Sequence, residues 1–221
     1  MKRLNIFIDE TGNFGFEKTN SKLYGVSFTF HDSKNDIKNE IKYLNQKLKA
    51  SGYDGMVHMA DLISKRGEYK QYNIETRRKI FWAIFMFSKK IDIKIKSLIF
   101  NKNYLSRSSL KSKLGLEIAR FIYENKEMIT SYDKVVIYYD GGQEELDEIV
   151  VSVFAMYPNC IVKKKFNHKE KRLFQVSDML TFIDKLDYKY KKKISKTKAE
   201  KLFFTDKEMK DILSTLNRKR L

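Results

Sequence analysis

Residues 4–12, LNIFIDETG, and residues 134–142, KVVIYYDGG, decide how this chain is read. Each is a nearly continuous apolar run that stops at an aspartate and passes at once into a turn. A strand exposed on one face alternates polar and apolar residues, whereas an unbroken apolar run signals a strand covered on both faces. Asp9 and Asp140 therefore stand at the carboxyl ends of two central strands. In an open α/β sheet ligands bind at that end, beside the point where strand order reverses.

Three more strands fit around this pair. Residues 91–100 open with Ile alternating against Asp and Lys, the pattern of a half-exposed edge. Residues 24–30 alternate Val26, Phe28 and Phe30 with small residues and suit a place between edge and centre. Residues 160–166 carry Lys163, Lys164 and Lys165 and suit the opposite edge, where lysine discourages strand addition. Helical periodicity covers 36–50, 76–90, 109–126, 143–156 and 171–186, with a final helix from about 198 to 216. The 76–90 segment is apolar nearly all round, which predicts deep packing, Trp82 included. Residues 188–201 are mostly lysine and read as a solvated connection.

The chain has 221 residues, enough for one domain with a proper core, and 42% of them are hydrophobic, which argues against disorder. Lys and Arg number 45 against 28 Asp and Glu, a net charge of +17. Such an excess favours a polyanionic partner, nucleic acid above all, although a Lys-, Asn- and Ile-rich genome would produce the same bias. The single cysteine, Cys160, forms no disulfide within the chain and reads as a small core residue of a reducing compartment. No apolar run approaches the ~18 residues of a membrane span, and the start lacks a signal-peptide core, so a cytoplasmic protein with no membrane partner is expected. His31 and His168 have no partner pattern and read as structural or exposed.

Asp9 and Asp140 on neighbouring strands would face each other across a few ångströms. Two ionised carboxylates share a site only at high cost unless a cation lies between them, and a hard divalent ion, Mg²⁺ or Mn²⁺, is the natural choice. Either aspartate alone is explained by turn chemistry, since Asp-Gly opens turns. The repetition on both central strands is what points to a site. A third carboxylate, Asp178, lies in FQVSDML, one turn after Gln175. Its apolar neighbours argue that it faces inward, because a carboxylate buried without a partner is costly. Lys171, Gln175, Asp178 and Lys185 also trace a possible solvent face, so pattern alone leaves both readings open.

The ordered set IDETG (8–12), YYDGG (138–142) and QVSDML (175–180) resembles a prokaryotic family catalogued as domain-of-unknown-function family 3800. HMADL (58–62) stands where that family often carries a short His- or Lys-containing motif. Thr11 replaces the usual serine, Ser177 the usual alanine, and Thr181-Phe182 the usual small residues. The resemblance implies an RNase H-like α/β fold, a five-stranded mixed sheet in order 3-2-1-4-5 with helices on both faces. It implies one domain over 1–187 with a helical insertion at about 32–90, and 188–221 packing on it as a connection and terminal helix. It also implies that Asp9, Asp140 and Asp178 form a metal-binding acidic triad. In such enzymes a fourth carboxylate comes from the helix after the third strand. Glu117 is the positional match, while Glu10 lies within the family motif and is preferred.

The function expected on this basis is Mg²⁺- or Mn²⁺-dependent hydrolysis of phosphodiester bonds in RNA or DNA, with two ions ~4 Å apart. Asp9, Glu10, Asp140 and Asp178 would be catalytic, and His58, Asp61, Gln175 and Glu117 possible accessories. Lys163, Lys164, Lys165, Lys169, Lys171 and Arg172 either guide a phosphate backbone toward the site or keep an edge soluble. The alternative is a non-catalytic module of a mobile-element or phage-defence system, binding nucleic acid through the basic surface or binding a protein partner. It predicts binding that needs neither divalent ions nor Asp9.

Overall fold

The computed structural model describes residues 1–16, 22–103, 105–167 and 171–221. Five strands form one mixed sheet: β1 (Arg3–Thr11), β2 (Leu23–Asp32), β3 (Lys94–Asn101), β4 (Lys134–Tyr138) and β5 (Cys160–Lys163). Their order across the sheet is β3-β2-β1-β4-β5. The two apolar runs are indeed central and lie side by side. β1 pairs parallel to β4, with Phe7 opposite Tyr138, and antiparallel to β2, with Asp9 opposite Ser27. The alternating segment forms one edge and the lysine-bearing segment the other, as their patterns predict.

Side-chain parity divides the core in two. Ile6, Ile8, Val26, Phe28, Val135 and Ile137 face α4 (Arg107–Glu124) and α6 (Glu144–Phe154). Phe7, Val136 and Tyr138 face the opposite way, toward α3 (Ile74–Lys90) and α7 (Arg172–Lys191). Two short helices, α1 (Lys38–Ala50) and α2 (Met59–Ser64), precede α3 between β2 and β3. A single turn of helix, α5 (Lys126–Thr130), leads into β4.

α7 is the central helix, with most of its residues buried, Gln175 among them at 1% exposure. Lys171, Asp178 and Lys185 are half-buried, so the exposed reading fails for Gln175 alone. It docks through a polar seam against the small residues of β2. The Ser177 hydroxyl lies 3.0 Å from the Phe7 carbonyl and 2.8 Å from Thr29 Oγ1. The Ser27 and Thr181 hydroxyls reach the Ser177 carbonyl at 2.7 and 2.8 Å. Gly25 completes the seam, because a Cβ there would come within 3.1 Å of the Thr181 methyl and 2.6 Å of Ile99. The small residues of β2 are thus what lets a helix lie this close.

Two expectations need correction. The α3 helix is not buried all round: Met86 is 51% exposed, and Trp82 lines an open groove of about 880 Å³ between α1 and α3. The lysine-rich connection is also shorter than its composition implies. α7 continues to Lys191, and two helices follow, α8 (Lys198–Phe203) and α9 (Asp206–Asn217). Each opens with a capping box, Thr197 with Glu200 and Thr205 with Glu208, so the second box interrupts the predicted single helix. Phe203 and Phe204 between them enter the core. Beyond α9, Lys219 O accepts from the Ile95 amide at 2.9 Å, and Arg220 pairs with buried Asp184 of α7, fastening the tail to the outer edge of β3. Among the described residues, no helix is long and apolar enough to cross a membrane.

Candidate acidic centre at the ends of the central strands

The site starts from strand register. Continuing the β1–β4 pairing two residues past Phe7 and Tyr138 brings Asp9 level with Asp140. Asp9 shares the parity of Phe7 and points to the α7 face; Glu10 shares the parity of Ile8 and points the other way. Both strands then turn on glycine. Gly12 has φ +89°, and a Cβ there would sit 2.5 Å from the Leu23 carbonyl, so only glycine fits. Gly142 leaves room for the carboxylates themselves, since a Cβ would lie 2.7 Å from Glu10 Oε1 and 3.4 Å from Asp140 Oδ1.

Gln143, a residue the sequence reading passed over, ties the two turns together. Its Nε2 donates to Glu10 Oε1 at 3.3 Å and to the Gly12 carbonyl at 3.1 Å, while its Oε1 accepts from the Phe14 amide at 3.0 Å. The Tyr139 hydroxyl accepts from the Gln143 amide at 3.1 Å. A glutamine directly after an acidic Gly-Gly turn was the available signal.

α7 supplies the third side. Asp178 Oδ2 accepts from the Met59 amide at 2.8 Å. The segment that carries Met59 is itself held to α7, with Arg172 donating to the Gly55 carbonyl at 3.0 Å and Val57 N donating to Gln175 Oε1 at 3.3 Å. His58 and Asp61 both act on the charge of Asp178, so the 58–62 segment borders the site. Asp61 is occupied with Arg66 at 3.0 Å.

The other three carboxylates all act on the charge of Asp9. Asp9 is held well above the usual carboxylate range, first by burial and then by the charges of Asp178, Glu10 and Asp140. Burial, followed by the charge of Asp140, pushes Glu10 up to about 7 against the pull of its hydrogen bonds from Gln143 and Tyr139. Asp178 rises to about 6 through burial, partly offset by the Met59 amide, His58 and Lys185. Glu10 Oε2 and the Tyr24 hydroxyl beside it are buried without a hydrogen-bond partner. An orphaned buried carboxylate oxygen among three further carboxylates is a set of hard oxygen donors that a divalent cation would satisfy. Among the described residues no three acidic, His or Cys side chains already stand as a finished metal cage. Glu10, Asp140 and Asp178 each rest on neighbouring donors instead, Asp140 on the Gly142 amide at 3.1 Å.

Other predicted residues lie elsewhere. Glu117 does not join the cluster: it pairs with Arg120 and lies beside residues 98–101 of edge strand β3, two strand spacings, roughly 10 Å, from β1. Gln175 acts through the 55–57 backbone rather than toward the carboxylates. Arg172 is wholly buried, its guanidinium bonded to Asn45, Gly55 and Gln175, so it is no surface contact for a phosphate. Lys163 and Lys165 are exposed, Lys164 is paired with Asp147 at 2.6 Å, and Lys171 lies over the Tyr138 ring. His168 and Lys169 fall outside the described residues. Cys160 is half-buried against the α4 and α6 core, and His31 is buried and bonded to the Asn35 carbonyl.

Compared with known proteins, the chain matches no family model, no curated protein and no solved structure.

Proposed function

We propose that this chain is a metal-dependent phosphodiesterase of RNase H-like type acting on RNA or DNA. The observation that carries the reading is the meeting of Asp9, Glu10, Asp140 and Asp178, drawn from three distant segments, with Glu10 Oε2 buried and unpartnered. Asp9, Asp140 and Asp178, with Glu10 as the fourth carboxylate, would hold Mg²⁺ or Mn²⁺ ions. When bound, such ions supply a water acidified for attack and charge stabilisation for the leaving oxygen.

The chain's own residues do the rest. The paired turns at Gly12 and Gly142 fix the carboxylates on rigid strand ends, and Gln143 keeps the turns in register. The Met59 amide orients Asp178 by donating to its Oδ2. Asp9, Glu10 and Asp178 are half-buried, which strengthens their charge interactions, while Asp140 stays exposed at the open side where a substrate would enter. The net charge of +17 raises the local concentration of a polyanionic substrate.

The test is cleavage of labelled single-stranded, double-stranded and hybrid oligonucleotides in Mg²⁺ or Mn²⁺. Wild type should cleave at least one of them, and Asp9→Asn should lose about a hundredfold or more of that rate. If wild type and Asp9→Asn are equally inert while salt-dependent binding persists in EDTA, the chain is a binding module and the hydrolase reading is wrong.

A further inference from the structure

Sequence pattern leaves Lys185 open between a solvent face and an inward one, and it lies along the wall of the acidic centre. Its stem crosses the Phe182 ring, with the ammonium 5.0 Å from the ring centre, and its Nζ donates to Thr11 Oγ1 at 2.8 Å. Thr11 is two residues beyond Asp9 on the same face of β1, at the carboxyl end of the strand. Lys185 follows Asp178 by seven residues, two helical turns, so both project from one side of α7. Among the described residues, no carboxylate is hydrogen-bonded to the Lys185 ammonium. The nearby Glu200 is taken by Lys189 at 2.7 Å, and Asp178 is taken by the Met59 amide. Burial, with Lys189 adding to it, lowers Lys185 to about 8, against the pull of Glu200 and Asp178. A largely enclosed cation whose strongest contact is a neutral hydroxyl retains most of its capacity to bind an anion.

We propose that the Lys185 ammonium and the Thr11 hydroxyl together form a binding site for a non-bridging oxygen of a phosphate group, adjoining the carboxylate cluster. The proposal rests on the phosphodiesterase reading for the identity of the anion, a nucleic-acid phosphodiester, but not for its location. Arg66 is close enough to act on the charge of Lys185, which adds a second positive group to this wall. A phosphate bridging this wall and the cation-binding carboxylates would present its phosphorus between them. That division places a positive clamp on α7 and β1, apart from Lys163 and Lys165 at the β5 end of the sheet.

The experiment titrates inorganic phosphate into wild type, Lys185→Met, Lys185→Arg and Thr11→Val in Mg²⁺, following ³¹P line width and thermal shift. Lys185→Met should weaken phosphate binding about tenfold or more, with Lys185→Arg staying near wild type and Thr11→Val in between. The thermal shift given by Mn²⁺ alone should persist in Lys185→Met and vanish in Asp140→Asn. Phosphate binding that is equal in Lys185→Met and wild type, or absent from wild type, overturns the proposal. Loss of phosphate binding in Lys185→Met without any Mn²⁺ effect in wild type keeps the anion site and defeats the metal reading. Thr11→Val leaves the lysine in place, so it still decides the matter if Lys185→Met does not fold.

Discussion

Glu10→Gln removes one charge from the acidic centre and nearly keeps the side chain's shape, so its effect on stability changes with pH. In the folded chain Glu10 moves from 4.5 to about 7, chiefly through burial and then through Asp140. A carboxyl that holds its proton more tightly when folded destabilises the fold once both states are ionised. That destabilisation is absent below the unfolded value of 4.5, grows as pH rises, and is complete above about 7. At about 1.4 kcal/mol per pH unit, the shift corresponds to about 3 kcal/mol. The new amide returns about 1 kcal/mol of this, because its N–H groups must find acceptors where Oε2 has no partner. Glu10→Gln should therefore stabilise the metal-free chain by roughly 2 kcal/mol at pH 8, a rise of about 4–8 °C in Tm for a chain of this size. At pH 5 most of that gain should disappear. The assay is thermal unfolding of both proteins in EDTA at pH 5 and pH 8, repeated with Mn²⁺. With Mn²⁺ at pH 8 the order should reverse, since wild type gains binding energy that the variant lacks. A Tm difference that is the same at both pH values would show that Glu10 carries no electrostatic strain, and the clustered-carboxylate account would fall with it.

Two further substitutions probe how the centre is held. Gly12→Ala forces a side chain to φ +89° against the Leu23 carbonyl and should cost at least about 2 kcal/mol; the Mn²⁺-induced thermal shift should be lost with it, because the turn that positions Glu10 moves. A Gly12→Ala protein with a wild-type Mn²⁺ response would mean that the turn does not position the carboxylates. Ser177→Ala removes the hydroxyl bonded to Phe7 and Thr29 and should cost about 1–3 kcal/mol, measured by urea unfolding, while the folded fraction keeps its Mn²⁺ affinity. No loss of stability in that variant would show that the seam does not hold the helix.

The sheet was legible because each strand carries its own burial pattern. Unbroken runs mark β1 and β4, alternation marks β3, and lysines mark β5, which separates centre from edge, while the full strand order came from the family resemblance. The face of α7 was not legible from periodicity, because its buried side includes Gln175, Ser177, Thr181 and Asp184, residues that count as polar in any hydrophobic pattern. Lys185 stayed undecided for a related reason: a lysine can bring its charge over an aromatic ring in a half-enclosed place. α2 escaped because six residues carry too little period to detect, although its role is to present the Met59 amide to Asp178. Glu10 was preferred over Glu117 because it lies within the family motif, and the sheet order, with β1 beside β4 and Glu117 next to edge strand β3, agrees with that preference.

The same seam that hid the α7 face explains why the site can exist at all. Going along β1, Phe7, Asp9 and Thr11 pair with Thr29, Ser27 and Gly25 of β2. Going along α7 in the same direction, Ser177 meets Phe7 and Thr29, Thr181 meets Ser27 and approaches Gly25, and Lys185 reaches Thr11. From Asp178 to Lys185 the helix climbs roughly 10 Å, and from Asp9 to Thr11 the strand climbs roughly 7 Å. The lysine side chain spans the difference, so one helix register satisfies the carboxylate end and the ammonium end together. A slip of one turn, about 5.4 Å, would withdraw Asp178 from Asp9 and strand the buried seam hydroxyls without partners. The hydroxyls of Ser27, Thr29, Ser177 and Thr181 therefore act as the gauge that brings negative and positive halves of the centre to the same height above the sheet.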